Sequence, residues 1–116
     1  MGLEQKCPIE VTLDLIGDKW TVCILRELLT GTKRYRDLDK AITAVSQKVL
    51  TQQLRQMERD GLVSRKVYAE VPPRVEYSLT EKGDSLKPVL DAMCEWGRWY
   101  LEQGGDLADS CPAGGP

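Results

Sequence analysis

The chain is expected to be mainly α with a small β-hairpin (α+β), and three observations predict this. Apolar residues recur at helical spacing through most of residues 9–60, the period changes to two over 62–79, and helical spacing returns over 81–103. A helix repeats every 3.6 residues and a strand every two, so the order reads as several helices, a hairpin and one more helix.

The helical part divides at its caps. Ile9, Leu13 and Ile16 share a face, and Gly17 suits the left-handed cap that ends a helix. Asp18 can cap a second helix, Lys19 to Thr30, whose Trp20, Val22, Cys23, Ile24, Leu25, Leu28 and Leu29 point nearly all round the wheel. That helix belongs at the centre. Gly31 stops it, and the basic stretch Lys33-Arg34-Tyr35 leads into a third helix with Tyr35, Leu38 and Ile42 on one side. Ser46 caps a fourth, which runs to about Asp60 and ends at Gly61.

The fourth helix is the most informative segment. At about 100° per residue Leu50, Leu54 and Met57 gather on one side. Lys48, Gln52, Arg55 and Arg59 fall almost opposite, with Thr51 beside them. One side packs and the other offers long hydrogen-bond donors.

Leu62, Val63, Arg65, Val67 and Tyr68, then Val75, Tyr77 and Leu79, mix β-branched, aromatic and charged residues as strands do. The connection Ala69-Glu70-Val71-Pro72-Pro73-Arg74 cannot extend a ladder, because proline lacks the N–H, so the hairpin has a stiff, protruding tip. The last helix carries Leu86, Val89, Leu90, Met93, Trp96, Gly97, Tyr100 and Leu101 in one stripe. Pro88 separates or kinks its first turn. A single domain over 1–103 is expected, with the fourth helix at 46–60, the hairpin at 63–79 and the last helix at 81–103. The Gly-, Pro-, Ala-, Ser- and Asp-rich stretch 104–116 reads as a disordered tail.

Charge is unevenly spread. The whole chain is at −2, yet Lys33 to Glu76 holds ten basic and six acidic residues, net +4, which leaves −6 to the flanks. A basic middle is what a DNA-facing surface needs, because Lys and Arg displace the counterions of phosphates. No apolar run approaches the roughly 20 residues of a membrane span, and Met1 to Lys6 lacks the layout of a signal peptide, so a cytoplasmic protein without a membrane role is expected. In that compartment Cys7, Cys23, Cys94 and Cys111 are thiols by default. There is no histidine, no Cys-x-x-Cys pair, no glycine-rich phosphate loop and no nucleophile motif. Catalytic residues, a metal site and a cofactor are therefore not expected, nor is an enzyme.

The third and fourth helices, joined by the short turn Thr43-Ala44-Val45, form a helix-turn-helix, and the hairpin after them is a wing. A helix of about 15 residues fits the major groove, about 12 Å wide, where Arg and Lys reach guanine and Gln pairs with adenine. The candidate DNA contacts are Arg36, Ser46, Gln47, Lys48, Thr51, Gln52, Arg55, Arg59 and Arg74. Lys48, Thr51, Gln52 and Arg55 stand nearest the base edges, and Arg74, with Arg65 and Lys66 behind it, lies along phosphates or in the minor groove. Double-stranded DNA is then the partner. A winged domain that binds protein and not DNA has the same element order and stays open as the alternative.

Several runs also resemble one family. Cys7-Pro8, Gly17-Asp18-Lys19-Trp20, Ile24-Leu25-Arg26-Glu27-Leu28, Ser46 to Arg55, Asp60-Gly61-Leu62-Val63, Val71 to Tyr77 and Leu79-Thr80-Glu81-Lys82-Gly83 look, in this order, like the HxlR family of bacterial winged-helix regulators, relatives of the MarR group. The resemblance covers about residues 7–103, and Arg36 departs from it where relatives often carry a small capping residue. It implies a transcriptional regulator that binds a roughly palindromic operator as a homodimer joined by its first and last helices. Ile9, Leu13, Leu90, Met93, Trp96 and Tyr100 are the candidate dimer contacts. It also implies sensing of a small electrophile or oxidant at Cys7, a position where a helix N-terminus favours the thiolate. Cys23 reads as packing, Cys94 lies near the expected seam, and Cys111 lies in the tail.

Overall fold

The computed structural model describes residues 7–104. Its elements are α1 (Pro8–Ile16), α2 (Lys19–Leu28), β1 (Lys33–Arg34), α3 (Tyr35–Ala41), α4 (Gln47–Arg59), β2 (Val63–Tyr68), β3 (Arg74–Leu79), α5 (Glu81–Asp84) and α6 (Lys87–Glu102). The expected tail, from 105 on, and Cys111 with it, lie outside the described residues.

Most of the helices start where a side chain can satisfy a free N–H group, α6 being the exception. Asp18 Oδ1 accepts from the Trp20 and Thr21 amides at 2.7 and 3.4 Å, and Ser46 Oγ accepts from the Val49 amide at 3.2 Å. At α1 the Cys7 N–H donates to Glu10 Oε1 at 3.1 Å, with Pro8 in the first turn. The α1 terminus differs from expectation. Gly17 is right-handed, with φ −70°, and it is needed for space: a Cβ there would collide with the Leu13 carbonyl oxygen. Gly61 does adopt the left-handed region, at φ 78°. Its N–H reaches Glu58 O at 3.0 Å while the Leu62 N–H reaches Met57 O at 2.9 Å, which closes α4 and starts β2.

The hairpin expected as two strands is part of a three-stranded antiparallel sheet of order β1-β3-β2. β2 and β3 pair from Val63↔Leu79 to Tyr68↔Arg74, and β1 adds Lys33↔Tyr77 and Arg34↔Glu76. A two-residue strand is too short to show a period, so β1 was invisible in the pattern. It matters because Tyr35, the first residue of α3, follows it directly, and the helix-turn-helix is thereby pinned to the wing sheet.

α2 is the hub. Cys23, Ile24 and Leu25 are fully buried, and Leu38, Ile42, Leu50, Leu54, Met57, Leu62, Val63 and Tyr77 close round them. The terminal stripe is two helices. Thr80 caps α5, its hydroxyl accepting from the Gly83 N–H and donating to the Gly61 carbonyl, and Pro88 sits in the first turn of α6. Of α6 only Leu90 is buried. Leu90, expected at a dimer seam, belongs to the chain's own core at 6% exposure, because it faces inward where its stripe neighbours do not. Cys7 and Cys94 are free thiols, and Cys23 is fully buried in the core.

Candidate nucleic-acid interface

α3 and α4, with residues 42–46 between them, form the helix-turn-helix. Leu50, Leu54 and Met57 are at most 1% exposed against the core. Burying them fixes which way α4 faces, and Lys48, Gln52, Arg55 and Arg59 lie exposed on the other side. Arg36, Lys48, Gln52 and Arg55 have no side-chain partner among the described residues, so their donors point at solvent. Other candidates already have local work. Ser46 is the cap, and Gln47 Nε2 donates to Asp39 Oδ2 at 3.1 Å. Thr51 Oγ1 lies 3.1 Å from the Tyr35 hydroxyl, and Arg59 Nη2 donates to Gln56 Oε1 at 2.8 Å.

Between α4, the start of α3 and the wing runs a cleft of about 630 Å³. Arg34, Arg36, Arg55, Arg65 and Arg74 line it, against the single carboxylate of Glu70. Arg34 was not among the site candidates, and Arg65 was expected only as support behind Arg74 at the base of the wing. Arg34 enters through β1, and Arg65 enters because its cross-strand partner is Tyr77. Tyr77 is buried, and burial pushes its phenol above the ordinary 10.0, opposed by a hydrogen bond from the Arg65 side chain. The phenol is therefore neutral at physiological pH. Five guanidiniums around one opening suit a polyanion.

Arg74 behaves differently from the expected free tip cation. It opens β3 and folds back. Its guanidinium carbon lies 3.9 Å from the centre of the Tyr68 ring, Nη2 lies 3.3 Å from Glu70 Oε2, and Nε lies 3.6 Å from Glu76 Oε2. Lys66 Nζ also sits over that ring, at 4.9 Å. The pairing of Tyr68 with Arg74 across the hairpin explains the geometry: directly opposed residues on one face are near enough to stack. The arginine braces the hairpin, and the tip beyond it presents Val71, Pro72 and Pro73 to solvent.

Of the ten large apolar side chains left exposed among the described residues, eight lie on α1 and α6. They include the expected Ile9, Leu13, Met93, Trp96 and Tyr100, at 69, 57, 49, 61 and 39%. Trp96 stacks on Tyr100 with ring centres 5.4 Å apart. Beside them a groove of about 530 Å³, lined mainly by apolar side chains, runs between α1 and α6, with Gly17, Asp18 and Lys19 at its edge. Among the described residues no cluster of His, Cys, Asp or Glu is placed to hold a metal, and no helix is long and apolar enough to cross a membrane.

A helix-turn-helix on a three-stranded winged sheet, with an arginine-lined cleft beside its second helix, defines the winged helix-turn-helix class of transcription regulators. Residues 15–105 match the HxlR-like helix-turn-helix family, and the chain belongs to it. It is 52% identical over 97 residues to an uncharacterized HTH-type transcriptional regulator of Bacillus subtilis, YkvN, spanning 84% of this chain and 82% of that protein. Its structure is similar to that of the redox regulator HypR in its reduced form, with TM-score 0.79 and 43% identity over 84% of this chain and 96% of that one. It is also similar to the reduced form of the transcriptional regulator YodB from B. subtilis, with TM-score 0.75 and 36% identity over 87% of this chain and 99% of that one. All three relatives are named as regulators.

The brace can be checked without DNA. Arg74→Ala is expected to speed amide exchange in β2 and β3 by roughly tenfold, the scale of a lost cation–π contact with partly exposed ion pairs. Arg74→Lys should restore little of it, because a lysine cannot stack on Tyr68 and bridge two carboxylates at once. Unchanged exchange in Arg74→Ala would refute the brace.

Proposed function

We propose that the protein is a sequence-specific DNA-binding regulator that acts as a homodimer on a promoter operator and answers oxidants or electrophiles through Cys7. The observation that carries the reading is the cleft beside α4, lined by Arg34, Arg36, Arg55 and Arg65, with the unpartnered Lys48 and Gln52 exposed on the same helix. In this reading Lys48, Gln52 and Arg55 meet base edges, Arg34, Arg36 and Arg65 meet phosphates, Ser46, Gln47 and Thr51 hold the helix in place as well as bordering the backbone, and Arg59 borders it too. Arg74 shapes the wing.

The apolar α1 and α6 surface supports the homodimer. Exposed Trp96, Trp99, Leu13 and Ile9 on adjoining helices cost less when covered, and a second copy covers them with an identical patch. Two copies would present two α4 helices to two half-sites. Cys7 supports thiol control by its place: it is exposed, free and at the head of α1, beside that surface. HypR, named a redox regulator, has been solved oxidised and reduced, and YodB both reduced and treated with diamide.

Affinity for a duplex selected from a random library is expected to fall roughly a thousandfold between about 50 and 200 mM salt. Arg55→Ala should cost about 1–3 kcal/mol and relax the base preference at one position. Affinity indifferent to both salt and Arg55 would favour a protein-binding domain. In sedimentation Trp96→Glu should shift the dimer to monomer, and a fully dimeric Trp96→Glu would place the seam elsewhere. Diamide should change operator binding of the wild type and leave Cys7→Ser unaffected; equal responses would remove Cys7 as the sensor.

A further inference from the structure

One polar link joins the edge of the α1/α6 groove to the reading helix. Gln53, on α4, carries a side-chain amide that faces two groups of α2 at once. Its Oε1 accepts from the Thr21 hydroxyl at 3.1 Å, and its Nε2 donates to Asp18 Oδ2 at 3.5 Å. Among the described residues Thr21 is the single buried polar one, at 4% exposure, so its hydroxyl has water as no ready substitute. Asp18 is tied from its other oxygen as the cap of α2, and it borders the groove together with Gly17 and Lys19.

The position of Gln53 on the helix wheel gives this link its use. Gln53 lies about 60° to one side of the Leu50 direction, and Thr51 lies about 100° to the other. Thr51 is held by the Tyr35 hydroxyl. Leucine contacts set the depth and the facing of α4, and because dispersion is not directional they define the last few degrees of its roll least sharply. Hydrogen bonds on both flanks do resist it. A roll of about 10° would move a side-chain atom about 6 Å from the axis by about 1 Å. That is enough to spoil hydrogen bonds whose useful range spans only a few tenths of an ångström.

We propose that Gln53 is a positioning residue for DNA reading: its amide ties α4 to the Asp18–Thr21 turn at the edge of the α1/α6 groove, so that the seating of the second copy there sets the roll of the reading helix. The inference rests on the DNA-binding, dimeric reading above. Gln53 itself touches no base. Its loss removes neither a cation nor a base contact, so it acts on sequence preference and leaves phosphate attraction in place.

The test compares two duplexes of equal length, one recovered by the wild-type protein from a random library and one of random sequence. Gln53→Met, which keeps the bulk and removes both hydrogen bonds, should remain dimeric. It should bind the random duplex within about twofold of wild type with the same salt slope, and bind the selected duplex about tenfold more weakly, the scale of a well-made hydrogen bond lost. Thr21→Val should do the same, and combining it with Gln53→Met should add little, because both break one bridge. Asp18→Asn with Gln53→Glu exchanges amide and carboxylate across the bridge at constant net charge, and should recover most of the preference. Unchanged preference in both Gln53→Met and Thr21→Val overturns the proposal, as does an equal loss on both duplexes or a failure of the exchanged pair to recover. A wild-type protein that selects no duplex overturns the DNA reading itself, and the proposal falls with it by a separately visible route.

Discussion

The burial of one edge of α4 against α2 is the contact on which the remaining structure depends. Leu50, Leu54 and Met57 are at most 1% exposed, and truncating a buried Leu or Met to Ala typically costs about 2–5 kcal/mol. With that edge committed inward, the opposite edge has no choice of direction. Lys48, Gln52 and Arg55 are presented to solvent by an apolar constraint and not by any interaction of their own. α2 can receive α4, α3 and β3 together because it is apolar almost all round. Arg26 and Glu27 stand half-buried near its end, and at its N-terminal turn Asp18 and Thr21 meet Gln53.

A chain with net charge −2 can still offer a cationic opening, because the signs are sorted by element. α1 carries Glu10 and Asp14 with no base, and α5 with α6 carries five acidic residues against three basic ones. The cleft has five arginines against Glu70. Even there, one cation is neutralised: Arg74 lies between Glu70 and Glu76, on the Tyr68 ring. Rigidity of the wing and charge at its tip compete for the same guanidinium, and in this structure rigidity has it. What faces outward at the tip is Val71 with its prolines.

Much of the architecture was legible because it follows from local rules. Periodicity separated helices from strands, Asp18 and Ser46 marked helix starts, and Pro88 marked the break before α6. Four features were hidden for one shared reason: each is decided by a partner distant in sequence or by a backbone contact. β1 exists because β3 is beside it. Arg74 turns back because Tyr68 lies across the hairpin, and Leu90 faces the core while Met93, three residues on, does not. Gln53 carried no expectation of its own in the sequence, and its partners lie 32 and 35 residues away. The site follows the same division: the residue types on the outer edge of α4 could be read directly, but not which of them were already engaged by Tyr35, Asp39 or Gln56.

On the proposed reading, dimerisation and recognition share α2. The groove between α1 and α6 ends at the residues that begin α2, and the same ten-residue helix backs α4 along its buried edge. A two-fold dimer that reads successive half-sites about 34–36 Å apart needs its two reading helices held at one separation and one roll. The leucine edge supplies depth, the hydroxyl of Tyr35 and the amide of Gln53 supply roll, and the α1/α6 seam supplies separation. Cys7 heads α1 on the seam side and lines no part of the arginine cleft. Chemistry at that thiol would therefore reach DNA by changing how the two copies sit on each other, and the cations that attract the duplex would remain in place.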